Sequence, residues 1–350
     1  MCGIVGTVGI QGSSVVNQMN YQQFHRGPDE GGTYSYPAHS VFLAMRRLSI
    51  VDLSSGHQPM ISECKKYAIV YNGEIFNAPE LRTTLAALGE KFISDHSDTE
   101  VVLRGYMRWG RSIVERLNGM FAFVIHDIQN SCLFGSRDPS GIKPLYLHNN
   151  GKVFAFSSEI EPLKFVPGRS FALNRSALSH YLSLQYTASP ETIFDDLRKL
   201  KPGESFLYSL ADGTLDFFGD PFKLFPAAIE KRFSRSYADA VDQLDQRLVD
   251  SVKRWTMSDV PVGISLSGGI DSALILAIAS RQFNSPIHTW TLGVNGQHND
   301  VDERSLASLM AKEVGSIHHE VSIDLADVAE DIDAMVASLG EPYAGGLPSW

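Results

Sequence analysis

The sequence predicts two fold classes in one chain. Residues 1–217 read as a strand-rich α+β domain, and residues 236–350 as an α/β domain on a parallel sheet. Three observations carry this. Between Lys66 and Ile160, short apolar runs (KYAIVYNGEIF, GMFAFVIHD, SCLFGSRD, KPLYLHNNGKVFAFSSEI) are separated by turn residues, the pattern of antiparallel strands. Beyond Phe218, strand-like and helix-like stretches alternate at the spacing of βα units. Residues 218–235 between them fit neither pattern and read as a linker.

Taken in order, MCGIVGTVGI is a first strand of β-branched residues and glycines, with Cys2 directly after Met1. In KYAIVYNGEIF the apolar run is broken by Asn72-Gly73, which taken locally is a hairpin turn, as is Asn150-Gly151 further on. Two helices interrupt the strands. Pro79 to Gly89 has Pro in its first turn and Gly at its end. Ser97 to Gly110 has acidic residues early and Arg108 late, as the helix dipole favours, and Ser97 or Asp98 suits its cap. In HRGPD, Arg26 and Asp29 suggest a structural ion pair, and Arg46 reads as a surface charge.

In the second half, Ser236 to Trp255 is helical in period, with Ala238, Val241, Leu244, Leu248 and Val252 at three- and four-residue steps. VPVGISL and the segment after it then give strand, glycine loop and helix. IHTWTLGV, DERSLASLMAKEVG, SIHHEVSI and LADVAEDIDAMVASLG continue as strand, helix, strand, helix. His318 and His319 are adjacent on a strand, so they face opposite sides and do not chelate one metal together.

Composition narrows the chemistry. The 350 residues are 43% hydrophobic and 20% charged, a globular balance with room for two cores. Thirty basic against forty acidic residues give −10 without a Lys/Arg block, which argues against a nucleic-acid surface. No apolar run approaches the ~18 residues of a membrane span, and the start lacks a signal-peptide pattern. Cys2, Cys64 and Cys132 are scattered without CxxC spacing, so neither a disulfide framework nor a zinc site is indicated. These features point to a cytoplasmic protein acting on small molecules.

SLSGGIDS, Ser265 to Ser272 after an apolar strand, is built for phosphate. Gly268 and Gly269 let backbone amides turn to a ligand, Ser267 and Ser272 add hydroxyls, and a helix begins behind them. It lacks the Lys of a Walker loop. Asp271 would repel phosphate unless a metal intervenes, which points to Mg²⁺.

This loop resembles the pyrophosphate loop of N-type ATP pyrophosphatases. MCGIVG, HRGPD, RLSIVD, YNGEIFN, SDTEVVL and RDPSGIKPLY, in that order, resemble a class II (Ntn-type) glutamine amidotransferase domain. Together they resemble glutamine-hydrolysing asparagine synthetase. The resemblance implies an N-terminal Ntn-hydrolase αββα sandwich followed by an α/β parallel-sheet nucleotide-binding domain. It implies that removal of Met1 leaves Cys2 as a nucleophile whose own α-amine is its base, because such an amine titrates near ~7.7–8. Asn72 and Gly73 would form the oxyanion hole. Arg47, with Leu48, Ser49, Ile50 and Val51, would hold the glutamine carboxylate, and Glu74 and Asp98 its ammonium. At the second site Leu266, Ser267, Gly268, Gly269, Asp271, Ser272 and Leu292 would bind ATP, with Mg²⁺, and a carboxylate acceptor would be adenylated and amidated by ammonia. Aspartate is the first acceptor expected. A sugar acid or another carboxylate is the alternative, as is glutaminase activity alone. A homodimer is the expected assembly. The chain reaches Trp350 without the SGEGxDE-type motif of that family, so its nucleotide domain is expected to be incomplete, with few strands and an exposed apolar face.

Overall fold

The computed structural model describes residues 1–219, 236–295, 302–324 and 332–344. They fall into two compact units. One holds the residues through 219 together with those from Val336 on, and the other holds 236 to Met335. Of the expected linker 218–235, all but the first two residues lie outside the described residues.

The first unit contains β1 (Gly3–Val8), α1 (Ser14–Gln22), β2 (Glu30–Tyr36), β3 (Val41–Arg47), β4 (Met60–Ile61), β5 (Tyr67–Ile75), α2 (Ala78–Ala87) and α3 (Asp98–Trp109). It continues with β6 (Gly119–Asp127), β7 (Cys132–Arg137), β8 (Tyr146–Asn149), β9 (Phe154–Ser157), α4 (Arg175–Leu184), β10 (Leu197–Lys199), β11 (Ser205–Ser209) and β12 (Leu215–Phe218). The strands form two antiparallel six-stranded sheets, in the orders β10-β8-β9-β1-β3-β2 and β12-β11-β7-β6-β5-β4.

Strand alternation decides what each face buries. Ile4, Leu43, Phe154 and Phe156 of the first sheet meet Val70, Val124, Leu133 and Phe206 of the second in one core between the sheets. The next residues along turn outward. Val5, Phe42 and Ala44 pack against Val16 and Met19 of α1. Ile69, Phe121 and Ile125 pack against Leu81, Leu85, Val101 and Tyr106 of α2 and α3. The layers therefore run helix, sheet, sheet, helix, as expected.

The Asn72-Gly73 turn reading is overturned. β5 runs unbroken through both residues, with Asn72 opposite Ala122 and Gly73 opposite Phe121 of β6. Gly73 is there for space: a Cβ would lie 2.3 Å from the Met120 carbonyl oxygen. The Asn150-Gly151 turn is present between β8 and β9, with Gly151 at positive φ and the Asn150 side chain accepting from the Lys152 and Val153 amides.

The second unit contains α5 (Tyr237–Trp255), β13 (Gly263–Ser265), α6 (Ile270–Ser280), β14 (His288–Asn295), α7 (Arg304–Val314), β15 (Ile317–Asp324) and the start of α8 (Ile332–Leu339). Ser236 and Asp239 close a capping box on α5. The three strands are parallel in the order β13-β14-β15. Leu266, Leu276, Ala307 and Ala311 form one small core, and Val252, Ile278, Ala279 and Ile287 another. Trp290, Leu292, Ile317 and Val321 are exposed, the apolar face anticipated for a short sheet. The first part of the last expected helix, 325–331, lies outside the described residues. His318 bonds Thr289 while His319 bonds His288, on opposite faces of β15.

Candidate active site

The ends of β1, β3 and β5, the start of α3 and the β7–β8 loop converge on a cavity of about 70 Å³. Cys2 enters it from the start of β1, where its thiol donates to the Leu48 carbonyl oxygen at 3.7 Å. Burial pushes this thiol above the usual cysteine range, so at neutral pH it is a thiol that needs a base. Arg26 donates from Nε to the Cys2 carbonyl oxygen at 3.0 Å and fixes the backbone there.

β5 supplies the polar wall. Asn72 Nδ2 is buried without a hydrogen-bond partner, and so is Glu74 Oε1. A buried donor and a buried acceptor left open in one cavity are a costly arrangement unless a ligand completes them. Burial, and then the charge of Asp98, push Glu74 up to about 7. Asp98 stands at the first position of α3 and accepts from the Tyr71 hydroxyl at 2.7 Å and the Ile75 amide at 3.0 Å. Desolvation nonetheless raises it from the ordinary aspartate value. Ser97 is the N-cap of α3.

Arg47, nearly fully buried, is held by the Val51 and Asp52 carbonyl oxygens at 3.0 and 2.7 Å and by Glu30 at 3.4 Å. It faces the cavity with Leu48, Ile50 and Val51. Ser49 does not line it. The Ser49 amide instead donates to the Asp29 carboxylate at 2.8 Å. That contact corrects the expected Arg26–Asp29 pair: Arg26 pairs with Glu159 at 2.8 Å, brought close by β9, and Asp29 braces the loop after β3. Arg46, expected as a free surface charge, lies over the Phe24 ring. The structure also places Gln58, Tyr71, Thr99, Met120 and Lys143 around the cavity, residues to which the sequence reading gave no role. Tyr71, Thr99 and Lys143 lay in recognised motifs, YNGEIFN, SDTEVVL and RDPSGIKPLY, whereas Gln58 and Met120 lay in none.

In the second unit the loop after β13 turns its polar groups on itself. Ser267 and Ser272 hydroxyls lie 2.8 Å apart, and the Gly269 amide donates to Ser267 Oγ at 3.2 Å. The Gly268 amide donates to a carboxylate oxygen of Glu303 at 3.2 Å, so this amide already holds an anionic oxygen. Leu266 is buried beneath the loop and bonded to β14, on which Leu292 is exposed. Asp271 is exposed in the first turn of α6. Among the described residues no three His, Cys, Asp or Glu side chains gather to hold a metal ion.

Two family descriptions match the chain. Residues 1–217 match the family described as glutamine amidotransferase domain, and residues 243–348 the family described as asparagine synthase. The chain is 36% identical over 327 residues to asparagine synthetase [glutamine-hydrolyzing] 1 of Bacillus subtilis, covering 91% of this chain and 50% of that protein. It is 32% identical over 382 residues to putative asparagine synthetase [glutamine-hydrolyzing] 2 of Methanocaldococcus jannaschii, covering 100% of this chain and 70% of the relative. A solved glutamine phosphoribosylpyrophosphate amidotransferase of B. subtilis, complexed with ADP and GMP, aligns at 16% identity and a TM-score of 0.47 over 91% of this chain and 65% of that one. The chain spans about half the length of the B. subtilis synthetases it matches. With a glutamine amidotransferase domain in front and an asparagine synthase stretch behind, the chain belongs to the glutamine-hydrolysing asparagine synthetase family.

Proposed function

We propose that the first unit hydrolyses glutamine to glutamate and ammonia, and that the ammonia serves to amidate an ATP-activated carboxylate, with aspartate as the acceptor because the relatives are named asparagine synthetases. The observation that carries the glutaminase reading is the cavity in which the Cys2 thiol, the unpartnered Asn72 Nδ2 and the unpartnered Glu74 Oε1 meet. With Met1 removed, residue 2 has a free α-amine. The amine takes the thiol proton, and the sulfur attacks the side-chain amide carbon of glutamine. Negative charge develops on the amide oxygen, where Asn72 Nδ2 and the Gly73 amide receive it. The C–N bond breaks, the proton passes from the amine to the leaving nitrogen, and ammonia departs from a thioester. Water then cleaves the thioester to glutamate and restores the thiol. The fixed guanidinium of Arg47 takes the α-carboxylate. Glu74 and Asp98 take the α-ammonium, whose charge draws Glu74 back to the ionised form.

The second unit fits a phosphate-bearing ligand, since its loop amide already carries the Glu303 carboxylate and two serine hydroxyls stand beside it. Ser267, Gly268, Gly269 and Ser272 would hold the phosphates of ATP, and Leu266 and Leu292 would flank the nucleoside. Asp271 would hold Mg²⁺ together with phosphate oxygens, a usual sharing for this ion, which when bound neutralises phosphate charge. No helix among the described residues is long and apolar enough to cross a membrane, and the three free cysteines suit a reducing cytoplasm.

The test is intact mass after brief treatment with 6-diazo-5-oxo-norleucine, beside a Cys2→Ala control. A mass lacking one Met and gaining one adduct that the control does not gain is the expected result. Retained Met1 with no adduct overturns the glutaminase.

A further inference from the structure

One charged group of the cavity has no part in the chemistry above. Lys143 is buried, lines the cavity beside Cys2 and Glu74, and its ammonium makes no hydrogen bond or ion pair among the described residues. A buried, unpaired lysine is costly, and folds keep few of them. Here the backbone leaves it no alternative. The fully buried Asp138 carboxylate accepts from the Phe121, Ile142 and Lys143 amides at 3.3, 2.9 and 3.0 Å. The Arg137 guanidinium donates to the Lys143, Gly141 and Leu200 carbonyl oxygens. Six bonds thus fix the loop between β7 and β8, which brings the Lys143 side chain to the cavity that holds the nucleophile.

Every charged group facing Lys143 is identifiable. From the start of β1 come Cys2 and the terminal amine, from the turn after α1 Arg26, from the end of β3 Arg47, from β5 Glu74, from α3 Asp98, and from its own loop Asp138. Arg26 is already committed to Glu159, and Arg47, whose charge also reaches Cys2, to two carbonyl oxygens and Glu30, whereas Lys143 is the cation of the cavity without a partner among the described residues. Its charge opposes protonation of both groups that the reaction needs without a proton. It draws Glu74 down against burial, and at Met1, one residue before the amine the reaction uses, burial first and then Arg26 and Lys143 hold the terminal amine below its ordinary value.

We propose that Lys143 is a positioning residue of the glutaminase site, its rigidly presented ammonium keeping Glu74 a carboxylate for the glutamine ammonium and the α-amine of residue 2 a free base for the thiol. The proposal rests on the glutaminase reading and adds a residue that the two carboxylates, Arg47 and the oxyanion donors do not replace. It also limits how far burial drives the Glu74 carboxyl toward protonation, because a fixed cation stands against it in the cavity.

The experiment is the pH profile of glutaminase kcat/KM on the full chain, for wild type, Lys143→Met and Lys143→Arg, with the rate of Cys2 alkylation by iodoacetamide followed in parallel. Lys143→Met keeps the length of the stem and removes the charge. It is expected to move the acidic limb upward by about half to one pH unit. Near pH 6 that lowers kcat/KM roughly threefold to tenfold, with convergence on wild type at high pH. Lys143→Arg restores the limb. Superimposed limbs, or a loss equal at every pH, overturn the proposal, because a merely structural residue scales the profile without moving it. A wild-type chain that neither hydrolyses glutamine nor is alkylated at Cys2 removes the function beneath the proposal, and that outcome is read without any Lys143 variant.

Discussion

At the scale of single residues, Asn72 and Glu74 carry opposite halves of one argument. Asn72 Nδ2 is a donor with nothing to donate to until an oxyanion forms. Asn72→Ala is therefore expected to lower kcat by about 10²–10³ with little change in KM, measured as glutamate release. Glu74 is held up to about 7 from an ordinary value of 4.5, so the folded chain binds a proton there that the unfolded chain has released. Stability from this group is thus lost as pH rises between those values, and the penalty is complete above about 7. Glu74→Gln removes the penalty: at about pH 8 the first unit should gain on the order of 1–3 kcal/mol and melt a few degrees higher. The same change should raise the KM for glutamine, because the ammonium loses its counter-charge. A variant that is both more stable and worse at binding is the signature expected of a functional carboxylate. If Glu74→Gln melts lower at that pH, the raised carboxylate is not the source of strain.

At the scale of elements, β5 shows what could and could not be read in advance. Asn-Gly is a strong turn signal because it reports a local backbone preference. The structure uses the pair differently, because β6 comes so close that only glycine fits at position 73. That is a cross-strand fact, invisible in any local window. Gly73→Ala is expected to cost about 1–3 kcal/mol in denaturant unfolding and to abolish glutaminase, since its Cβ meets two rigid backbone atoms, Met120 O at 2.3 Å and Phe121 Cα at 2.8 Å. α2 and α3 were legible because Pro79 and the early acids mark their starts. α1 and α4 were not. α4 buries only Ala177 and α1 only Val16, Met19 and Asn20, so neither writes a broad apolar stripe into the sequence. The Arg26 pairing was misassigned for the reason that hid Gly73: Glu159 is distant in sequence and arrives only when β9 pairs with β1. Lys143 stood in a visible motif, but its burial and its loop's rigidity come from Asp138 and Arg137 in three dimensions.

At the scale of the whole molecule, the division into an α+β and an α/β part was legible because hydrophobic period and strand spacing change abruptly near Phe218, and such statistics survive without knowledge of contacts. The two parts also differ in how much they bury. The first unit encloses Phe121, Phe123, Phe134, Phe154, Phe156 and Phe206 completely, whereas the second relies on Leu266, Leu276, Ile278 and small alanines while Trp290, Leu292, Ile317 and Val321 stay in solvent. Burial of apolar surface is the main source of stability, so the second unit should unfold first. Calorimetry of the full chain is therefore expected to show two transitions. Because a ligand stabilises only the fold that binds it, ATP with Mg²⁺ should raise the lower transition and leave the upper unchanged. Modification of Cys2 by 6-diazo-5-oxo-norleucine should raise the upper alone. The double change Ser267→Ala, Ser272→Ala should abolish the nucleotide shift without altering glutaminase activity. A single transition moved by both ligands would mean that the two units fold as one cooperative body. An ATP shift that survives the double change would place the nucleotide elsewhere than on the SLSGGIDS loop.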